Sequence, residues 1–200
     1  EFLNNVSHEL KTPMTSMKVL ADSLVGQHGV PEDLYQEFMR DITAEIDREN
    51  RIITDLLTLV KMDKKNADLQ IQHMSINQLL EDILKRLRPI ADKRNIDLIL
   101  DSFRPVEADV DELKFTSAIS NLVENAIKYN VDDGWVRVSL DADHKFFYVT
   151  VADSGMGIPE DSLSRIFERF YRVDKSHSRE IGGTGLGLAI TRSTIGMHHG

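Results

Sequence analysis

Cysteine is absent from the 200-residue chain. That excludes disulfides, thiolate-held zinc and a cysteine nucleophile. Positive charge is in deficit: 24 Lys and Arg stand against 33 Asp and Glu, for a formal net charge of −9. A surface of that sign does not suit nucleic-acid phosphate, so nucleic acid is not an expected partner. No apolar run approaches the ~20 residues that a membrane-spanning helix needs. No basic-then-apolar leader is visible either. Seven histidines are present, but without the spacing of helical zinc sites. His198 and His199 are adjacent, so on a helix they point to different sides.

What is there suffices for a core: 41% of residues are hydrophobic, with a mean hydropathy of −0.28. The length allows one large domain or two small ones. The chain begins inside an apolar-periodic segment (Phe2, Leu3, Val6, Leu10) with neither methionine nor cap. We read this as a fragment of a longer protein.

Residues 1–66 predict two long helices joined by a turn. Leu3, Val6, Leu10, Met14, Met17, Leu20 and Leu24 recur at threes and fours, an a/d-like seam. Gly29-Val30-Pro31 supplies turn chemistry. Leu34, Phe38, Ile42, Ile46, Ile53, Leu56 and Val60 mark the second helix. So thin a hairpin cannot hide both apolar faces alone, and self-association into a dimeric four-helix bundle is the economical solution. Packing against another domain of the same chain is the alternative.

From 67 to 200 helices and strands interleave. Leu69-Gln70-Ile71-Gln72 alternates like a strand, and Ile76, Leu79, Leu80, Ile83, Leu84 and Leu87 give an amphipathic helix. Ile96-Asp97-Leu98-Ile99-Leu100 reads as a strand, and Asp111 opens a helix through Ala126. Strands follow at 135–140 and 146–152, joined by a polar turn, and a last helix covers 186–197. The pattern is that of an α+β sandwich.

Four segments carry polar groups that packing does not require. In Ser7-His8-Glu9-Leu10-Lys11-Thr12-Pro13, His8 and Thr12 share a helix face while Glu9 flanks the imidazole, where it can take a proton or fix the tautomer. Pro13 removes a backbone donor just beyond them. A solvated helix surface is the competing interpretation. Asn121, Asn125 and Lys128 lie on one face of a helix; amide oxygens suit magnesium, and a lysine suits phosphate. An amide-rich solvated stripe would look the same. Asp153-Ser154-Gly155-Met156-Gly157 follows a strand, with glycines for close approach and a carboxylate able to accept from adenine's amine. An ordinary strand-end turn remains the alternative. Gly182-Gly183-Thr184-Gly185-Leu186-Gly187 leads into a helix, an arrangement that offers backbone amides to phosphate but is not a Walker A loop. The polar stretch 174–180 reads as a lid. Phe167-Glu168-Arg169-Phe170-Tyr171-Arg172 would anchor it, with the two Phe explained by core packing and Arg172 meeting phosphate.

In order and approximate spacing, these segments resemble those of the sensor histidine kinases of bacterial two-component systems. His8 to Pro13 is similar to that family's phosphoacceptor box, 121–129 to its N box, 153–157 to its G1 box, 167–172 to its F box and 183–187 to its G2 box. The resemblance implies a dimerisation and histidine-phosphotransfer domain at 1–66, then an ATP-binding sandwich of the gyrase/MutL type at 67–200. By the same resemblance His8 accepts the γ-phosphoryl group of ATP, Glu9 is its general base, and Thr12 positions water when a partner is dephosphorylated. Asn125 would hold Mg²⁺ with Asn121 in support, Lys128 would meet phosphate, and Tyr129 would line the base pocket. Asp153 would read adenine, with Gly155 and Gly157 shaping its pocket. Gly183, Thr184, Gly185, Leu186 and Gly187 would form the hinge and phosphate cradle. Glu124 is read as surface. Implied partners are a second copy of the chain and the receiver domain of a response regulator. The implied setting is the cytoplasmic portion of a membrane-anchored sensor.

Family members continue past this point with two more strands, so the ATP-binding domain is expected to be cut short at its C-terminus. Two other functions fit the pattern less well. A gyrase- or MutL-like ATPase would carry a water-activating glutamate where Asn121 stands. A silent dimeric scaffold would have no need of Asn125, Asp153 and the glycines together.

Overall fold

The computed structural model describes residues 2–25, 29–62, 69–173 and 183–200, and in the first helix leaves aside side chains 2–5, 8 and 9. Two helices, α1 (Phe2–Val25) and α2 (Glu32–Met62), form the hairpin. Pro13 lies inside α1. Its missing N–H leaves the carbonyl of Glu9, four residues earlier, without its helical donor. Large apolar side chains stay exposed along the hairpin, among them Tyr35, Met39, Ile46, Ile53, Leu57 and Val60 on α2.

Beyond the hairpin the order is β1 (Ile71–Ser75), α3 (Ile76–Asp92), β2 (Asp97–Ser102), β3 (Glu107–Asp111), α4 (Glu112–Lys128), β4 (Trp135–Ala142), β5 (Phe147–Asp153), α5 (Glu160–Leu163) and α6 (Gly187–Met197). One sheet runs β2-β4-β5, with β2 parallel and β5 antiparallel to β4. The other is the antiparallel pair β1-β3. Val136, Val138 and Leu140 alternate inward from β4 and meet Ile83, Leu87, Phe115, Ile119 and Val123 of α3 and α4 in a single core. Ser75 and Asp111 cap α3 and α4, each accepting from a backbone N–H three residues on.

Two departures from the sequence reading have plain causes. β1 begins at Ile71 rather than 69, because its register is set by pairing with Asp111. β3 has no strand pattern legible in the sequence. Its outward positions Glu107 and Asp109 are charged, which hides the inward alternation of Ala108 and Val110; both carboxylates bond His73 across the ladder, at 3.1 and 2.7 Å. At the far end, His198 is structural: Nε2 accepts from the Asp111 N–H at 3.0 Å, and Nδ1 lies 2.8 Å from the Thr194 carbonyl.

Candidate nucleotide site and its contact with the hairpin

The site is built around the C-terminal end of α4. The last carbonyls of a helix lack intrahelical donors. Here Arg94, from the turn before β2, supplies them, donating to Ile127 O at 2.8 Å, Lys128 O at 3.1 Å and Asn130 O at 2.7 Å. Buried Asn130 then ties this end to the strand ends. Its amide donates to Trp135 O at 3.0 Å, and its Oδ1 accepts from Val131 N–H and the Ser154 hydroxyl, both at 2.9 Å. A Cβ on Gly134 would strike the Asn130 and Ser154 side chains, so that position admits no side chain without a shift.

Gly155 packs flush on this knot: a Cβ there would collide with Tyr129 O and sit 2.7 Å from Asp153 Oδ1. Asp153 Oδ1 accepts from the Gly155 N–H at 2.8 Å, which leaves Oδ2 without a hydrogen bond among the described residues. Gly157 adopts φ +70°, a left-handed conformation that favours glycine.

The glycine-rich segment closes the opposite side. A Cβ on Gly183 would lie 3.0 Å from Lys128 Nζ and 3.8 Å from the Tyr129 hydroxyl. Gly185, at φ +70°, accepts from the Phe170 N–H at 2.8 Å, and a Cβ there would press on the Phe170 backbone at 3.0 Å. Asn121 donates to Gly187 O at 3.3 Å. Asn125, half-buried, makes no side-chain hydrogen bond among the described residues, so its amide oxygen is uncommitted.

The hairpin also reaches this site. Thr184 Oγ1 donates to Asp55 Oδ2 of α2 at 2.8 Å and accepts from the Leu186 N–H at 3.2 Å. Around that contact Leu56, Leu59 and Met62 of α2 pack against Phe170, Leu186, Ala189 and Ile190. Burial pushes the Asp55 carboxyl up, against the Thr184 hydrogen bond and the charge of Arg51. Lys128 shows the local field most clearly. Burial, then the nearby charges of Arg172, Arg51 and Arg48, lower its ammonium from 10.5 to about 8, against the opposing pull of Glu124.

Asn121, Asn125, Lys128, Tyr129, Asp153, Gly155, Gly183, Thr184, Gly185 and Gly187 thus surround one cleft, whose polar groups can take a base at the Asp153 end and phosphates at the Lys128 end. His8 and Glu9 lie on α1, with their side chains outside the description, and Thr12 is exposed on the same helix. The lid read at 174–180 lies outside the described residues. One reading changes. Phe167 is not core: it is 38% exposed, with the Arg192 guanidinium 5.8 Å from its ring centroid. Glu124 is exposed as read, yet it stands close enough to Arg86, Lys128 and Arg51 for their charges to oppose the rise that burial gives its carboxyl. Sequence reasoning missed Arg94, Asn130, Gly134 and Asp55. Only the lone glycine at 134, in a turn before a strand, carried any local signal.

A family model described as "Histidine kinase-, DNA gyrase B-, and HSP90-like ATPase" matches residues 110–200. A second, "His Kinase A (phospho-acceptor) domain", matches residues 1–65. The sensor histidine kinase WalK of Bacillus subtilis (strain 168) is 34% identical over 203 residues, covering 100% of this chain and 33% of the relative. The chain therefore spans about one third of the length of that curated relative. Among solved structures, Acinetobacter baumannii histidine kinase AdeS superposes with a TM-score of 0.74 at 23% identity, covering 94% of this chain and 85% of that one. Histidine kinase ThkA, solved in complex with response regulator protein TrrA, gives 0.75 at 24%, covering 90% and 53%. At such identities the two superpositions speak to the fold. With an acceptor-type helix and an ATPase-type cleft both matched in order, the chain belongs to the sensor histidine kinases of bacterial two-component systems.

Proposed function

We propose that the parent protein transfers the γ-phosphoryl group of ATP to His8 and from there to an aspartate of a response-regulator receiver domain. The observation that carries this is the cleft itself: a glycine at 183 whose missing side chain leaves room beside Lys128, opposite a carboxylate at 153 with one uncommitted oxygen. We divide the chain into a dimerisation and phosphotransfer domain at 1–66 and an ATP-binding domain at 67–200. The parent is a membrane-anchored sensor and this chain belongs to its cytoplasmic side.

In the proposed reaction a ring nitrogen of neutral His8 attacks the γ-phosphorus. The N–P bond forms as the bond to the β,γ-bridging oxygen breaks, and that oxygen leaves with the electron pair on ADP. The proton on the other ring nitrogen passes to Glu9. Lys128 and Arg172 take phosphate charge, and Tyr129, Asp153, Gly155 and Gly157 hold the base. Gly183, Thr184, Gly185, Leu186 and Gly187 shape the phosphate end. The uncommitted amide oxygen of Asn125 suits a hard cation, so Asn125, supported by Asn121, would hold Mg²⁺. Bound there, the ion would neutralise phosphate charge. Thr12, one helical turn from His8, would orient water in the reverse reaction, the dephosphorylation of the regulator.

Incubation with Mg²⁺ and γ-labelled ATP tests the reading. Acid-labile, alkali-stable label is expected on the protein, abolished in His8→Gln and in Asn125→Ala. Steady phosphate release without labelled protein would favour an ATPase instead.

A further inference from the structure

The hairpin does more than present His8. We propose that Arg51 and Arg48 of α2 are phosphate ligands, closing from the hairpin side the anion site that Lys128 and Arg172 form on the other. This rests on the nucleotide reading of the cleft.

The placement follows from the contact already described. Asp55 is pinned to Thr184, next to the glycine that abuts Lys128. Arg51 and Arg48 precede Asp55 by about one and two helical turns, which puts all three on one face of α2. Their charges reach Lys128, as its lowered ammonium records. Neither arginine forms an ion pair among the described residues. Arg48 Nε is shut away from solvent without an acceptor. Arg51 spends only its Nε, on the Asp47 carbonyl at 3.4 Å. Shielded oxygens of Glu45 and Glu49 also lack donors, so these neighbours do not satisfy Arg48. Four cations gather around one cleft with Asp55 and Glu124 beside them, an excess of positive charge that favours the entry of a polyanion.

The height along the hairpin is the second argument. α1 ends at Val25 and α2 starts at Glu32, so positions on the two helices pair about the midpoint between those ends. Equal rise on both antiparallel helices sets His8 level with roughly residue 49. Arg48 and Arg51 therefore stand at the level of the acceptor histidine and beside the phosphate end of the cleft at once. A γ-phosphoryl group held there would have its equatorial oxygens met by guanidinium groups, which are suited to bidentate contact with phosphate.

The test is calorimetric titration of the chain with Mg-ATP and with Mg-ADP. Each variant, Arg51→Gln, Arg51→Lys and Arg48→Gln, is first checked for native unfolding behaviour. With Arg51→Gln we expect ATP affinity to fall about tenfold while ADP affinity changes less than about twofold, the loss of one charged hydrogen-bonded contact. Arg51→Lys should recover part of the loss, and Arg48→Gln should repeat the ATP-selective pattern. Equal losses for both nucleotides would mean a structural role and overturn the proposal, as would unchanged ATP affinity. Wild-type chain that is folded yet binds neither nucleotide would instead remove the nucleotide reading on which the proposal rests.

Discussion

Lys128 is the residue whose protonation most directly connects stability to ligand. Its ammonium is lowered from 10.5 to about 8, first by burial and then by the neighbouring arginines. Between those two values the unfolded chain binds more protons at this site than the folded one. Stability from this group therefore rises as pH climbs from about 8 toward 10.5, and the full penalty applies below 8. Phosphate binding should behave in the opposite sense, because an anion favours the charged lysine. Near pH 8 ATP binding is expected to take up a proton, seen as a dependence of the calorimetric heat on the buffer's ionisation enthalpy. Lys128→Met should abolish that dependence.

At the level of elements, the β1-β3 ladder carries its own titration. His73 bridges Asp109 and Glu107, and these hydrogen bonds raise its imidazolium above the ordinary 6.5. The stabilisation is fully present below that value and is lost as pH rises through the folded pKa. NMR titration of His73 should show the elevated midpoint, returned toward the ordinary value in an Asp109→Asn, Glu107→Gln double variant. This same ladder marks the limit of sequence reading. α3 and α4 were legible because Ile76, Leu79, Leu80, Ile83 and Leu87, and then Phe115, Ala118, Ile119 and Val123, bury one stripe each at helical spacing. β3 was not, since a strand with alternate carboxylates reads as a polar loop until His73 is placed across from them. The cleft divides likewise. Asn125, Lys128, Asp153 and the glycines stand in local patterns. Arg94, Asn130 and Asp55 act on partners supplied by the fold: Asn130 looks like any residue after a helix until Trp135 and Ser154 close around it.

In the whole molecule one side of the hairpin is covered and another is not. One face of α2 meets α6 through Leu59, Leu186 and Ile190, so packing against the second domain does occur. Tyr35, Met39, Ile46, Ile53, Leu57 and Val60 remain exposed and are not consumed by that contact. A stripe of this size is suited to a second hairpin. Ile53→Glu is expected to shift the chain from dimer to monomer in sedimentation at micromolar concentration, while leaving the unfolding of the α+β sandwich unchanged. A wild-type monomer under those conditions would contradict the dimer.

The parallel pairing of β2 with β4 bears on how the chain comes into being. Those strands align Asp97 with Trp135, so the whole of β3 and α4 must be laid down and folded back before the ladder can close. α1 and α2 need only a short turn to meet. Contacts local in sequence form much faster than those requiring long loops to close. Emerging from the ribosome N-terminus first, the hairpin is complete while the cleft is still unmade. Its apolar stripe is thus available to a second copy before either chain has a nucleotide site.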